Sequence, residues 1–173
     1  MNILLVDDDS DGRAYVGEFL RKLGHHVVEC RDGQDGLEAF GTGDYHMVLS
    51  DLKMPRLSGI ELLHALSSFA GGRDFDVVLL TGHGGMDSAI EALRAGAYDY
   101  LLKPVNVEEL AAVTERVAER QALRRENKIL TEKFEDEVKA ATEETRHELA
   151  RLRKAYCESM GVSNLVVFSE AMK

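Results

Sequence analysis

Cysteine, proline and tryptophan are scarce in this chain of 173 residues, which has two Cys, two Pro and no Trp. Cys30 and Cys157 are far apart and fit no metal-ligand spacing, so we expect reduced thiols rather than a disulfide framework or a zinc site. No run approaches the roughly 20 apolar residues of a membrane span. The first residues carry no basic segment typical of a secretory signal. We therefore expect a cytoplasmic protein without a membrane partner.

Positive charge is also in short supply. The formal net charge is −10, and most of the acidic excess lies in residues 1–105. An acidic surface repels nucleic-acid phosphates, which argues against non-specific nucleic-acid binding by this part of the chain. The residues after 105 are rich in both signs of charge, which is typical of a solvated long helix.

Residues 1–105 alternate between short apolar runs and amphipathic segments. The runs lack strict alternation of apolar and polar residues, which is typical of parallel strands buried on both faces. This pattern predicts an α/β fold with a five-stranded, parallel, doubly wound sheet. The predicted strands are Ile3–Val6, Val27–Cys30, Met47–Ser50, Phe75–Leu80 and Tyr98–Leu102, and the predicted helices are Ser10–Leu23, a short one carrying Leu37 and Phe40, Ser58–Phe69 and Met86–Ala95.

Three residues mark the predicted helix ends. Ser10 is predicted to cap the first helix, since a serine hydroxyl can accept a hydrogen bond from a free backbone amide there. Gly24 and Gly96 are predicted to end the first and fourth helices, because glycine readily adopts the left-handed conformation that follows a helix. Asp9 is expected to be a solvated loop residue.

Four of the five runs deliver a polar residue at the carboxyl end, namely Asp7, Asp51, Thr81 and Lys103. The carboxyl ends of parallel strands lie side by side, and ligands of open α/β sheets bind at that edge. Asp8 adds a third carboxylate. Three carboxylates, a hydroxyl and an ammonium group at one edge predict a site for phosphoryl transfer.

Crowded carboxylates repel one another, which raises at least one pKa unless a cation lies between them. Mg²⁺ fits such a site because it binds a few carboxylates, keeps several waters and accepts phosphate oxygens. Asp51 can then act as a nucleophile and form an aspartyl phosphate. Lys103 would neutralise charge on the transferred group, and Thr81 can donate its hydroxyl to a phosphoryl oxygen.

Four short motifs lie at the carboxyl ends of the predicted strands. They are Val6-Asp7-Asp8-Asp9, Leu49-Ser50-Asp51-Leu52-Lys53-Met54-Pro55 with Gly59, Leu80-Thr81-Gly82, and Tyr100-Leu101-Leu102-Lys103-Pro104. Together they resemble the receiver domain of bacterial two-component response regulators, over about residues 1–120. The resemblance implies a flavodoxin-like sheet with strand order 2-1-3-4-5 and a phosphoryl group accepted from a sensor histidine kinase. It also implies that the chain is no enzyme beyond phosphorylation and dephosphorylation of the receiver itself.

The resemblance also implies roles for individual residues. Asp51 would be the phosphoacceptor, with Lys103 and Thr81 beside it. Mg²⁺ would have three protein ligands, and a further carboxylate would act through the water shell of the ion. The implied ligands are Asp8, Asp51 and the backbone carbonyl of Lys53, the water-linked residue is Asp7, and the implied switch pair is Thr81 and Tyr100.

Residues 107–160 contain no Pro and no Gly and consist mostly of good helix formers. We predict one extended helix here, continuous with the last receiver helix. Apolar residues recur every 11 positions, as in Leu123, Phe134 and Tyr156, which gives a straight or right-handed coil. The narrow stripe predicts a homodimer through a two-stranded coiled coil, with Asn127 specifying its register. The alternative is a single amphipathic helix packed on its own receiver.

Residues 161–173 resemble the opening of the ATPase domain of sigma-54-dependent activators of the nitrogen-regulator type, although Glu170 stands where proline is usual. The resemblance implies a truncated output domain that begins here. The chain has no Walker loop, so contact with sigma-54 RNA polymerase and DNA would require domains that are missing here. Two alternatives stay open, namely control of a cyclic-dinucleotide phosphodiesterase and a stand-alone dimeric signalling adaptor.

Overall fold

The computed structural model describes residues 1–69, 74–82 and 85–160, with side chains except at residues 69 and 85–89. The predicted start of an output domain, residues 161–173, lies outside the described residues. Within the described ranges the chain forms five strands and five helices in strict alternation. The strands are β1 (Asn2–Val6), β2 (His26–Cys30), β3 (Met47–Asp51), β4 (Asp76–Thr81) and β5 (Asp99–Leu102), and the helices are α1 (Ser10–Lys22), α2 (Gly33–Thr42), α3 (Gly59–Phe69), α4 (Gly85–Arg94) and α5 (Val107–Ser159).

The five strands form one parallel sheet in the order β2-β1-β3-β4-β5. This order confirms the predicted five-stranded, flavodoxin-like fold. β3 and β4 each extend one residue further than predicted and include Asp51 and Thr81. Asp51 and Thr81 are therefore held by the backbone hydrogen bonds of the sheet, whereas Asp7 and Lys103 directly follow their strands.

The core lies on both faces of the sheet. On β1, Leu4 and Val6 pack with the cluster that includes α2, α3 and α4, whereas Ile3 and Leu5 pack with α1 and the first turns of α5. This alternation follows the two-residue period of a strand. All four side chains are fully buried, and complete burial of a large aliphatic side chain contributes about 1.5–3 kcal/mol. The apolar runs are continuous because each face is covered.

The first helix begins differently from the prediction. Asp9 is the N-cap of α1, and its side chain accepts a hydrogen bond from the Asp11 amide at 3.2 Å. The assignment of the cap to Ser10 was wrong, and so was the description of Asp9 as a solvated loop residue. An N-cap residue keeps an extended backbone, as Asp9 does, whereas Ser10 is already in the helix. The stops at Gly24 and Gly96 are confirmed, with φ of +85° and +97°.

Helix α5 is one uninterrupted helix of 53 residues, which confirms the predicted extended helix. Its residues belong to two compact units, since the unit that contains the sheet comprises Met1–Arg124 and the second unit begins at Arg125. In the described part of the second unit, the large apolar side chains are exposed to solvent. No described helix is long and apolar enough to cross a membrane.

Candidate functional site

The carboxyl ends of β1, β3 and β5 bring three predicted site residues into contact. Asp7 directly follows β1, Asp51 is the last residue of β3, and Lys103 directly follows β5. The Lys103 ammonium lies 2.8 Å from Asp7 Oδ2 and also contacts Asp51 Oδ2. Asp7 is only 1% exposed and Asp51 8%. The site is therefore an inner group of two carboxylates bridged by one ammonium group.

The charges of this inner group depend on one another. Burial opposes the charge of Lys103, but hydrogen bonds and ionic contacts with Asp51 and Asp7 outweigh it, so the Lys103 pKa is raised above its ordinary value. The Asp7 pKa is also raised, mainly by burial, although hydrogen bonds from Lys103 and from the Asp9 amide oppose the rise. The charge of Asp51 adds only a smaller contribution. The predicted rise of one carboxylate pKa is confirmed, but desolvation rather than repulsion is its main cause.

The residues present fit a hard divalent cation. Asp7, Asp8 and Asp51 each offer a carboxylate oxygen, and these oxygens all lie within 4.8 Å of one another. Asp8 is exposed whereas the other two are buried, so one side of the cluster faces solvent. An all-oxygen donor set with an open side suits Mg²⁺, which retains several waters in protein sites. The Lys53 amide donates to Asp51 Oδ1 at 3.0 Å, which places Lys53 at the site, and its carbonyl as a ligand stays a prediction.

The loop after the β3 aspartate requires glycine at one position. A Cβ atom at Gly59 would lie 2.3 Å from the Asp51 carbonyl oxygen, well inside van der Waals contact. The Gly59 amide also donates to the Leu52 carbonyl at 3.0 Å. The close approach explains why Gly59 belongs to the sequence motif around Asp51.

The predicted switch residues lie on adjacent strands. Thr81 ends β4, is buried, and its hydroxyl donates to the Gly82 carbonyl at 3.2 Å. The Thr81 carbonyl accepts a hydrogen bond from the Lys103 amide at 2.7 Å, so the backbone connects Thr81 to the residue that bridges the carboxylates. Tyr100 is half-buried on β5 opposite Leu79. The switching role of Thr81 and Tyr100 stays a prediction.

Sequence reasoning missed Arg13, in the first turns of α1. Its guanidinium Nη1 donates to the Asp7 carbonyl oxygen at 2.6 Å, and its Nε lies 3.5 Å from Glu29 Oε2 on β2. Arg13 follows closely after residues 7–9, the acidic loop between β1 and α1. A basic residue at that position is a weak signal that could have indicated such a contact. The contact with Glu29 could not be read from the sequence, because it depends on the packing of α1 against β2.

The matching family model is that of the response regulator receiver domain, over residues 3–115. The chain belongs to this family. Among its relatives, the nitrogen assimilation regulatory protein NtrX of Azorhizobium caulinodans is 34% identical over 127 residues, which are 72% of this chain and 28% of that protein. The regulatory protein AtoC of Escherichia coli is 31% identical over 124 residues, 72% of this chain and 26% of that protein. The receiver chain thus spans about a quarter of these relatives.

Solved structures agree with this assignment. The crystal structure of NtrX from Brucella abortus superposes with a TM-score of 0.68 at 34% identity, covering 75% of the receiver chain and 29% of NtrX. A response regulator receiver domain protein from Clostridium thermocellum superposes with a TM-score of 0.65 at 32% identity, covering 70% of this chain and 97% of that one. The predicted family is therefore confirmed over the part of the chain that carries the acidic site.

Proposed function

We propose that this receiver accepts a phosphoryl group on Asp51 from a sensor histidine kinase in the cytoplasm. The observation that carries the proposal is the bridging of Asp7 and Asp51 by Lys103. Asp51 has one oxygen oriented by the Lys53 amide and the other in contact with Lys103. These contacts hold the carboxylate in one orientation, as a nucleophile requires.

The phosphoryl transfer needs few protein groups. An Asp51 oxygen forms the new bond to phosphorus as the phosphorus–nitrogen bond of a phosphohistidine breaks, and the imidazole leaves with the bonding pair. Lys103 compensates the added negative charge, and the Thr81 hydroxyl turns from Gly82 to donate to a phosphoryl oxygen. Mg²⁺, held by Asp8, Asp51 and the Lys53 carbonyl with Asp7 acting through water, would supply further charge neutralisation. The product is a phosphorylated regulator rather than a released substrate.

The phosphoacceptor can be tested by mass spectrometry of the full chain incubated with Mg²⁺ and acetyl phosphate. The parent is expected to gain one phosphoryl group, and Asp51→Asn none. Asp44→Asn is a matched control, because it makes the same acid-to-amide change at an exposed residue outside the site. Phosphorylation of Asp51→Asn to the parent level would refute the assignment.

The cation site can be tested at two neighbouring acids. Asp8 belongs to the carboxylate cluster, whereas Asp9 caps α1. Asp8→Asn is expected to weaken Mg²⁺ binding in a calorimetric titration. Asp9→Asn should leave it near the parent value, because asparagine caps helices as well as aspartate does. Loss of binding in Asp9→Asn with normal binding in Asp8→Asn would reverse the assignment.

We also propose that the described second unit, residues 125–160, dimerises with a second copy of the chain. Its apolar stripe is exposed along its length, with Phe134 67% exposed in the single chain. Singly exposed apolar residues need no partner, but an aligned series on one helix indicates an interface. The large apolar members of the stripe in this unit are Leu130, Phe134, Val138, Leu149, Leu152, Tyr156 and Met160.

The charges beside the stripe support a parallel pair. At the 11-residue spacing, Glu126, Glu137 and Glu148 form a column on one flank, and Thr131, Thr142 and Arg153 form a column on the other. In a parallel dimer, opposite flanks of the two helices meet, as the e and g positions of a heptad coil do. An antiparallel pair would place the glutamate column of one helix beside the glutamate column of the other, and these like charges would repel each other.

Two adjacent alanines provide a matched test of the interface. Ala141 lies on the stripe, 11 residues after Leu130, whereas Ala140 lies about 100° further round the helix. Ala141→Glu is expected to shift the full chain toward monomer in sedimentation experiments, and Ala140→Glu is expected to leave it dimeric. Equal behaviour of the two variants would mean that the stripe is not the interface.

The exposed Cys157 allows a test of orientation, because the other cysteine, Cys30, is buried. Spin labels on Cys157 should lie roughly 10–20 Å apart in a parallel dimer, given interaxial distances near 10 Å. In an antiparallel dimer centred on Ala141, the two labels would lie on opposite sides of the centre, each 16 residues from it. At about 1.5 Å per residue, they would be about 50 Å apart.

We propose that phosphorylation changes the geometry of this dimer through Thr81 and Tyr100. A ligand shifts a two-state equilibrium only through its differential affinity for the two states, and the phosphoryl contacts of Thr81 and Lys103 supply that difference. The Cys157 labels should therefore report different distances with and without beryllofluoride, a phosphoryl mimic. Identical distances with Asp51 occupied would mean that the helix is a passive tether.

The output we propose is a sigma-54-type ATPase domain that activates transcription. Support comes from the resemblance of residues 161–173 and from the similarity of the chain to the nitrogen assimilation regulatory protein NtrX. The phosphodiesterase alternative is supported by the receiver domain of an HD domain-containing protein from Pseudomonas fluorescens, which superposes on this chain at 25% identity with a TM-score of 0.64. The coding sequence beyond residue 173 distinguishes them: a Walker loop supports the first, an HD metal motif the second, and a stop codon the stand-alone adaptor.

A further inference from the structure

Arg13 connects helix α1, strand β2 and the acidic loop. Its Nη1 donates to the Asp7 carbonyl oxygen at 2.6 Å, and its Nε lies 3.5 Å from Glu29 Oε2. Both Arg13 and Glu29 are half-buried. A guanidinium held between a carboxylate and a carbonyl oxygen presents its donors in a fixed, planar fork. The acidic loop is thus attached to a rigid part of the fold through one side chain.

The carbonyl that Arg13 holds belongs to the peptide that joins Asp7 to Asp8. Peptide groups are planar, so fixing this oxygen restricts the direction in which the chain leaves toward Asp8. The Asp7 amide donates to the Cys30 carbonyl at 3.2 Å, and Asp7 Oδ1 accepts from the Asp9 amide at 3.0 Å. These contacts hold the buried Asp7, whereas Asp8 is the exposed member of the carboxylate cluster. The orientation of Asp8 therefore depends on the peptide that Arg13 holds.

We propose that Arg13 is a positioning residue for the divalent-cation site, and that Glu29 orients its guanidinium. Arg13 would preorganise Asp8 beside Asp51 without touching the cation or the phosphoryl group. This inference rests on the proposed function of the acidic site. Outer contacts of this kind commonly change metal affinity by about 10- to 100-fold when removed.

The chain offers a matched control in Arg21. Arg21 also pairs with Glu29, at 2.7 Å, but its second contact is the Val27 carbonyl at 3.2 Å. Arg13→Met and Arg21→Met thus each remove one positive charge that pairs with Glu29. Only Arg13→Met removes the hydrogen bond to the acidic loop.

The test measures Mn²⁺ binding to the full chain by electron paramagnetic resonance, with Mn²⁺ as a probe for the Mg²⁺ site. Arg13→Met is expected to weaken binding by about tenfold or more, and Arg21→Met should change it by less than about twofold. Arg13→Lys is expected to restore binding in part, because lysine keeps a donor but lacks the planar fork. Saturating Mg²⁺ should return the phosphorylation rate of Arg13→Met to near the parent value.

Several results would overturn the inference. Parent-like Mn²⁺ affinity in Arg13→Met, or an equal loss in Arg21→Met, would show that the contact with the loop is irrelevant to the site. A loss in Arg13→Met that disappears at 0.5 M salt would show an effect of charge alone, since salt screens such charges. If Arg13→Met does not fold, Arg13→Lys and Glu29→Gln provide the test, and parent-like affinity in both contradicts the proposal.

The failure of the underlying function is distinguishable. A parent chain that binds no Mn²⁺ and is not phosphorylated on Asp51 would refute the site itself. A parent chain that does both, together with Arg13→Met of unchanged affinity, would refute the positioning role alone.

Discussion

Replacement of Asp76 by alanine is expected to destabilise the receiver unit strongly, although this residue lies at the opposite end of β4 from the predicted switch residue. Asp76 begins β4 and is buried. Its carboxylate accepts a hydrogen bond from Gln121 Nε2 at 2.7 Å and pairs with Arg120 at 3.2 Å and Arg124 at 3.3 Å. All three partners lie on α5, so one buried carboxylate binds the last turns of this helix within the receiver unit.

The magnitude follows from the burial of the partners. In Asp76→Ala, the buried Gln121 amide loses its acceptor, which costs about 1–3 kcal/mol. The arginine side chains are 44% and 32% exposed, so water rehydrates them and each lost pair costs no more than about 1 kcal/mol. The sum is a loss of about 1–5 kcal/mol, and Tm should fall by roughly 3–5 °C for each kcal/mol in a domain of this size.

The assay is thermal and urea unfolding of the full chain, followed by circular dichroism. Asp99→Ala is the matched control, because Asp99 on β5 also pairs with an arginine of α5, the exposed Arg116, at 2.7 Å. Loss of this exposed pair should lower the free energy of unfolding by less than about 1 kcal/mol. Adding Gln121→Leu to Asp76→Ala should recover part of the stability, since it removes the unsatisfied amide. Equal losses in the Asp76 and Asp99 variants, or no recovery in the double variant, would refute this account of the contact.

Three further predictions concern the site and the thiols. Gly59→Ala is expected to cost about 1–3 kcal/mol in urea unfolding and to slow phosphorylation, because its Cβ would overlap the Asp51 backbone carbonyl. Gly82→Ala, whose Cβ would meet no described atom within 4 Å, is the control for the unfolding measurement. Cys157 is exposed and should react with a thiol reagent at pH 8, whereas burial raises the pKa of Cys30 to about 11, so one thiol per native chain and two per denatured chain should be titrated. Burial raises the pKa of Asp7 in the folded chain above its ordinary value of 3.8, so ionisation of Asp7 lowers the stability at pH values above this raised pKa, but not below 3.8, where Asp7 is protonated in both the folded and the unfolded chain. Asp7→Asn should therefore raise the Tm measured at pH 7 without divalent cations, and this gain should vanish at acidic pH. An unchanged Tm at pH 7 would contradict this prediction.

Much of the fold follows from local patterns. The five apolar runs became strands within a residue or two of their predicted ends, since a run buried on both faces has few other conformations in a soluble domain. Gly24 and Gly96 end helices because glycine, which has no side chain, adopts the left-handed conformation without strain. The strand pattern also predicted that Asp7, Asp51 and Lys103 lie together, because parallel strands place their carboxyl ends at one edge of the sheet.

The tertiary structure decided which side chains meet across that framework. The choice of Asp9 over Ser10 as the cap depended on where the backbone turns from extended to helical. The contacts of Arg13 with Glu29 and of Asp76 with Gln121 join residues on different elements. Periodicity indicates which face of a helix is buried, but the partner of a polar side chain depends on the angle and register at which the elements pack. For that reason the meeting of Asp7, Asp51 and Lys103 at one edge could be predicted from the sequence, whereas the contacts that hold them and the last helix in place required the folded chain.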